Sequence, residues 1–126
     1  MTMQDTVDLL LVEDDPDDLE LALESLHLHH PNTRIHVARD GEEALEFLLC
    51  TGFHAQRNPH NGPLVVVLDL KLPKVDGLDV LRQIKADART RTIPVVMLTS
   101  SQQESDIQTC YQLGVNSYLV KAVEFE

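Results

Sequence analysis

The sequence predicts an α/β domain: one five-stranded parallel sheet, doubly wound, with helices on both faces. Two observations carry this. Strand-like and helix-like segments alternate without exception along the chain. The strand candidates are short continuous apolar runs, as expected for strands covered on both faces, rather than the alternating pattern of a half-exposed sheet. Val7 to Val12 reads as the first strand. Asp15-Pro16-Asp17-Asp18 then opens a helix, with Asp15 as cap, Pro16 in the first position and acids at the positive end of the dipole. Leu19, Ala22, Leu23 and Leu26 follow at helical spacing, and His29-His30-Pro31-Asn32 ends the segment. Ile35-His36-Val37 is a second strand. Asp40-Gly41-Glu42-Glu43 is a capping box for a second helix whose stripe is Ala44, Leu45, Leu48 and Leu49, with Gly52 as its stop. Phe53 to Pro63 is a polar loop and Leu64 to Leu68 a third strand, fully buried and ending at Asp69. Leu78, Leu81 and Ile84 mark a third helix, and Pro94 to Leu98 a fourth strand. Ser101-Gln102-Gln103-Glu104 reads as another capping box, before a helix carrying Ile107, Cys110, Tyr111 and Leu113 and stopping at Gly114; Ser117 to Val120 is the fifth strand.

Length and charge bound the function. The 126 residues suit one domain, 1–126. Net charge is −11, from 10 basic and 21 acidic side chains, which argues against nucleic acid or an anionic membrane as the main partner. The apolar runs are too short to span a bilayer, no basic and apolar leader opens the chain, and Cys50 and Cys110 form no CxxC. A small, acidic, cytoplasmic domain is expected, its cysteines acting as small buried hydrophobes.

In parallel sheets of this type, ligands lie beyond the carboxyl ends of the strands. Strand one ends in Glu13, Asp14 and Asp15, strand three in Asp69, strand four in Thr99 and Ser100, and strand five in Lys121. If the strands are ordered 2-1-3-4-5, Glu13, Asp14 and Asp69 converge in one cleft opposite Lys121. Three carboxylates so placed raise one another's pKa or demand a cation, and an all-oxygen set suits Mg²⁺. A carboxylate beside Mg²⁺, a lysine and a hydroxyl is a phosphoryl-transfer site. Asp69 is then the nucleophile, Lys121 neutralises phosphoryl oxygens and Thr99 hydrogen-bonds one of them. The simpler roles, helix capping for the Asp14 to Asp18 run and a solvated strand-end lysine, are compatible with this in part: Asp15, Asp17 and Asp18 are assigned to capping. His27, His29 and His30 resemble a metal set by composition but are read as residues suited to a last helical turn.

Val12-Glu13-Asp14, Leu68-Asp69, Leu72-Pro73 with Asp76-Gly77, Met97-Leu98-Thr99-Ser100 and Tyr118-Leu119-Val120-Lys121 resemble, in order and spacing, the motifs of receiver domains from two-component response regulators. The resemblance implies a flavodoxin-like fold of strand order 2-1-3-4-5, with Asp69 as phosphoacceptor and Glu13 and Asp14 as the acidic metal pair. It further implies the Lys71 backbone carbonyl as a metal ligand, Thr99 and Tyr118 as a switch pair, Lys71 and Ser101 flanking the phosphoryl group, and a sensor histidine kinase as donor. The segment Phe53 to Pro63, the Ile93 to Val96 strand and the absence of Lys-Pro resemble the small single-domain regulators of bacterial and cyanobacterial phytochromes.

Two departures stand out. Lys121 is followed by Ala122, where the family has a cis proline. Only Ala122 to Glu126 follow strand five, too few for the family's fifth helix, so the final helix is expected to be absent and an apolar patch exposed beside strands four and five. The expected function is a stand-alone phosphoacceptor with self-phosphorylation and self-dephosphorylation chemistry rather than an enzyme with a separate substrate. It would signal by altered partner binding, or by dimerising through the strand 4–helix 4–strand 5 face. The alternative is a phosphorylation-independent interaction module of the same fold. A phosphatase with an aspartate nucleophile would want an acid two residues after Asp69, where Lys71 stands.

Overall fold

The computed structural model describes residues 6–121. Five strands, β1 (Leu9–Val12), β2 (Ile35–Ala38), β3 (Val65–Leu68), β4 (Val95–Thr99) and β5 (Ser117–Val120), alternate with four helices, α1 (Pro16–His29), α2 (Gly41–Leu49), α3 (Gly77–Ala86) and α4 (Glu104–Gln112). All pairings are parallel, in the order β2-β1-β3-β4-β5. Val12 pairs with Leu68 and Leu68 with Met97, so the carboxyl ends of the three central strands are level.

Helix starts follow local chemistry. The Asp15 carboxylate accepts from the amides of Asp17 (2.8 Å) and Asp18 (3.2 Å), with Pro16 in the first turn. Asp40 caps α2 through the Glu43 amide (2.7 Å), and Asp76 caps α3. Two expectations are corrected. Helix α2 ends at Leu49, before Gly52, because Cys50 itself takes the left-handed conformation at φ 58°. Ser101 is not the cap of α4: Gln103 holds that position without a side-chain bond, and the Ser101 hydroxyl donates instead to Asp106 at 2.6 Å. The polar loop Phe53 to Pro63 carries the 3₁₀ turn Pro59–Asn61 and most of a second one, Gly52–His54.

The two faces of the sheet are covered unequally. Leu10, Val12, Val66, Leu68, Val95 and Met97 pack with α2, α3 and Cys110 of α4 into the larger core. Leu9, Leu11 and Leu19 with Leu23, Leu26 and Val67 form a smaller one under α1. Burial therefore alternates along β3 and β4, and β3 is not fully buried as the apolar run suggests; Leu64 lies outside it and is 69 % exposed. On the α1 side, Val67, Val96, Leu98 and Leu119 line a groove with Leu21 and Leu26 of about 390 Å³. That is the apolar surface expected beside strands four and five. The predicted loss of the final helix and the Lys121–Ala122 bond lie outside the described residues. Cys110 is buried, its thiol pushed up to about 11 by desolvation and then by Asp106, whereas Cys50 is only half-buried.

Candidate functional site

Each strand end presents the residue that the sequence places there. Glu13 and Asp69 follow β1 and β3 directly and are buried to 4 % and 6 % exposure, while Asp14 is exposed. Such acids are almost never buried without partners, so their burial needs an explanation. It is Lys121. Its Nζ lies 2.8 Å from Glu13, 2.9 Å from Asp69 and 2.8 Å from Asp18. Asp18 is the residue that sequence reasoning missed as a member of the site, having been assigned to capping. The Asp15 cap sets the first turn of α1 so that Asp18 reaches back over the strand ends, and its place in that turn, three residues after the cap, is the signal that could have found it.

One ammonium faces more carboxylates than it can neutralise. Burial opposes the charge on Lys121, but hydrogen bonds to Asp18, Asp69 and Glu13 outweigh it and hold the lysine above its usual range. Burial also holds the Glu13 carboxyl above its usual value, and the pull of Lys121 and of the Asp15 amide offsets this only in part. Carboxylate oxygens of Glu13, Asp14 and Asp69 all lie within 4.8 Å of one another. This all-oxygen set, left with excess negative charge, fits a hard divalent cation.

The remaining predicted residues are distributed around this centre. The Lys71 amide lies 3.4 Å from one Asp69 oxygen, at the edge of hydrogen-bonding distance. Thr99 is fully buried at the end of β4, two residues beyond Met97, the partner of Leu68, and its Oγ1 faces the Ser101 amide at 3.4 Å. Tyr118 is half-buried, and its hydroxyl donates to the Ser101 carbonyl at 3.0 Å, tying β5 to the β4–α4 loop. His27, His29 and His30 are all exposed at the end of α1, away from the strand ends.

Gly77 controls where Asp69 stands. Its amide donates to the Leu70 carbonyl at 2.8 Å, and an added Cβ would fall 2.2 Å from the Asp69 carbonyl oxygen and 2.6 Å from that of Leu70. Both obstacles are backbone, so no rotamer relieves them. Gly77→Ala is expected to destabilise the fold by ~1–3 kcal/mol, the range for overpacking. Urea unfolding of the variant beside the parent checks this.

Comparison with known proteins gives a consistent picture. Residues 9–126 match the response regulator receiver domain. The chain is 40 % identical over 114 residues to response regulator Rcp1 of Synechocystis sp., covering 90 % of this chain and 76 % of the relative. The solved structure of the Mn²⁺-bound form of Rcp1 superposes with a TM-score of 0.87 at 38 % identity, covering 94 % of this chain and 84 % of that one. That of the bacteriophytochrome response regulator AtBRR has a TM-score of 0.83 at 53 % identity, covering 95 % and 85 %. The phosphorylated cyanobacterial phytochrome response regulator RcpA has a TM-score of 0.86 at 38 % identity, covering 94 % and 83 %. With the fold, the strand-end acids and the opposed lysine in place, this chain belongs to the response regulator receiver domain family.

Proposed function

We propose that Asp69 accepts a phosphoryl group from the phosphohistidine of a sensor histidine kinase in a Mg²⁺-dependent reaction. The observation that carries this is the convergence of Glu13, Asp14 and Asp69 oxygens within 4.8 Å, with Lys121 held on Asp69 at 2.9 Å. Glu13, Asp14, Asp69 and the Lys71 carbonyl would hold the ion, which when bound supplies positive charge to the phosphoryl oxygens. The Asp69 carboxylate forms the new O–P bond as the donor N–P bond breaks, and the departing imidazole nitrogen takes up a proton from water. Lys121 keeps the carboxylate oriented and then pairs with a phosphoryl oxygen. Thr99 donates its hydroxyl to another, and Tyr118 follows through its bond to the Ser101 carbonyl. Attack of water on phosphorus breaks the O–P bond to Asp69, releases inorganic phosphate and returns the free carboxylate.

A phytochrome-class kinase is the donor we favour, because AtBRR and RcpA are phytochrome regulators. The readout is altered partner binding, and self-association is assigned to the α4–β5 edge, where Tyr111, Leu119 and Val120 stay exposed. Treatment with an acyl phosphate tests the reading. Intact-mass analysis is expected to show a gain of one phosphoryl group with Mg²⁺ and none with chelator, and sedimentation of the same samples reports the size. A phosphorylation-independent module would instead bind Mg²⁺ without any mass gain.

A further inference from the structure

A second cluster of ligating side chains lies away from the strand ends, and each member comes from a different element. His36 is on β2, Glu43 is in the first turn of α2, and His54 ends the 3₁₀ turn Gly52–His54. One oxygen of Glu43 faces both rings, 3.4 Å from His36 Nε2 and 3.7 Å from His54 Nε2. The other accepts from the Arg39 amide at 3.3 Å, which fixes the carboxylate. One ligating atom from each of the three lies within 4.8 Å of the other two. The rings are held as well as the acid. His36 stacks on Phe47 at 4.1 Å, His54 meets both rings edge-on at 5.1 Å, and Arg57 covers Phe47 at 3.7 Å.

We propose that His36, Glu43 and His54 form a binding site for a zinc-class divalent metal, separate from the oxygen cluster around Asp69. Two imidazoles and a carboxylate are a donor set of tetrahedral Zn²⁺, completed by water. Metal–ligand bonds of 2.0–2.2 Å put tetrahedral ligand atoms ~3.3 Å apart, so the two measured separations need little contraction. Burial, with smaller opposing pulls from Glu43, keeps His36 below its ordinary range. The metal would pin the segment Gly52 to Pro63 to edge strand β2. That segment is also tied back by Arg57, which donates to the Phe47 carbonyl, and by Asn61, whose carbonyl accepts from the Val7 amide. His36 and His54 also line a cleft of about 590 Å³ together with Phe53, Arg57 and Asn61.

Co²⁺ titration of the full chain in excess Mg²⁺ tests this site independently of Asp69 chemistry. The expected result is one equivalent of Co²⁺ with intense tetrahedral visible bands, displaced by Zn²⁺. Those bands should weaken by more than about tenfold in affinity in His54→Ala and in Glu43→Gln, and persist in the His27→Ala/His30→Ala double variant. His54 lies outside the sheet, and circular dichroism of His54→Ala reports whether the fold is kept. Only weak octahedral bands in the wild type, bands that survive His54→Ala, or bands lost with His27 and His30 would overturn the proposal.

Discussion

Asp69→Asn will take up no phosphoryl group from an acyl phosphate, in Mg²⁺ or without it. The substitution is nearly isosteric, so it removes the nucleophilic oxygen while leaving the shape of the β3 end intact. It also deletes one negative charge from a cluster in which Lys121 already faces Glu13 and Asp18. Like charges this close destabilise one another, so the variant should fold as well as the parent, within about 1 kcal/mol in metal-free buffer. Loss of labelling together with retained stability separates chemistry from fold. Intact-mass analysis and urea unfolding of the same protein give the two readings, and unchanged labelling would remove Asp69 from its role.

Lys121→Met has the largest expected effect on stability. The ammonium is the cation that Glu13 and Asp69 share, and those acids are 4 % and 6 % exposed. Removing one partner of a buried ion pair leaves uncompensated charge and costs about 3–5 kcal/mol. Asp18 and Asp14 reach solvent and soften the loss, so the lower end is expected here. A divalent ion supplies positive charge at the same place, and saturating Mg²⁺ should recover part of the deficit. The pH dependence has a definite sign. The folded-state pKa of Lys121 lies above the free value of 10.5, so its contribution is fully present below that pH and lost as pH rises through the folded value. The gap between parent and variant should therefore be wide at neutral pH and narrow in strong alkali. Urea unfolding in chelator, in Mg²⁺ and at alkaline pH measures all three. An equal deficit with and without Mg²⁺ would contradict a shared cation-binding role for these acids.

Much of the site was legible because buried parallel strands read as apolar runs, and the residue that ends such a run marks the edge where ligands bind. Asp69 after Val65–Leu68 was readable on that ground, whereas Lys121 follows Ser117–Val120, an edge strand with an exposed end, and was placed by the alternation of elements. Asp18 was not, because an acid in a first helical turn has a sufficient local role, and only the packing of α1 turns it toward Lys121. The start of β3 was set one residue early at Leu64, whose backbone pairs with Asp8 but whose side chain stays in solvent. Burial was overestimated for β3 because the apolar run does not show which face a helix covers, and α1 leaves the Val67, Val96, Leu98 and Leu119 groove open. The histidines show the same limit. His27, His29 and His30 are neighbours in sequence and stay exposed, whereas His36 and His54 are distant in sequence and meet through Glu43.

The most direct test is to locate the phosphoryl group itself. Treating the labelled protein with borohydride reduces an aspartyl phosphate to homoserine, which tandem mass spectrometry assigns to one position. The arrangement of Glu13, Asp14 and Lys121 around one carboxylate predicts homoserine at position 69 and nowhere else. Conversion at Asp14 or Asp18, or a phosphate carried on a histidine or serine, would contradict it.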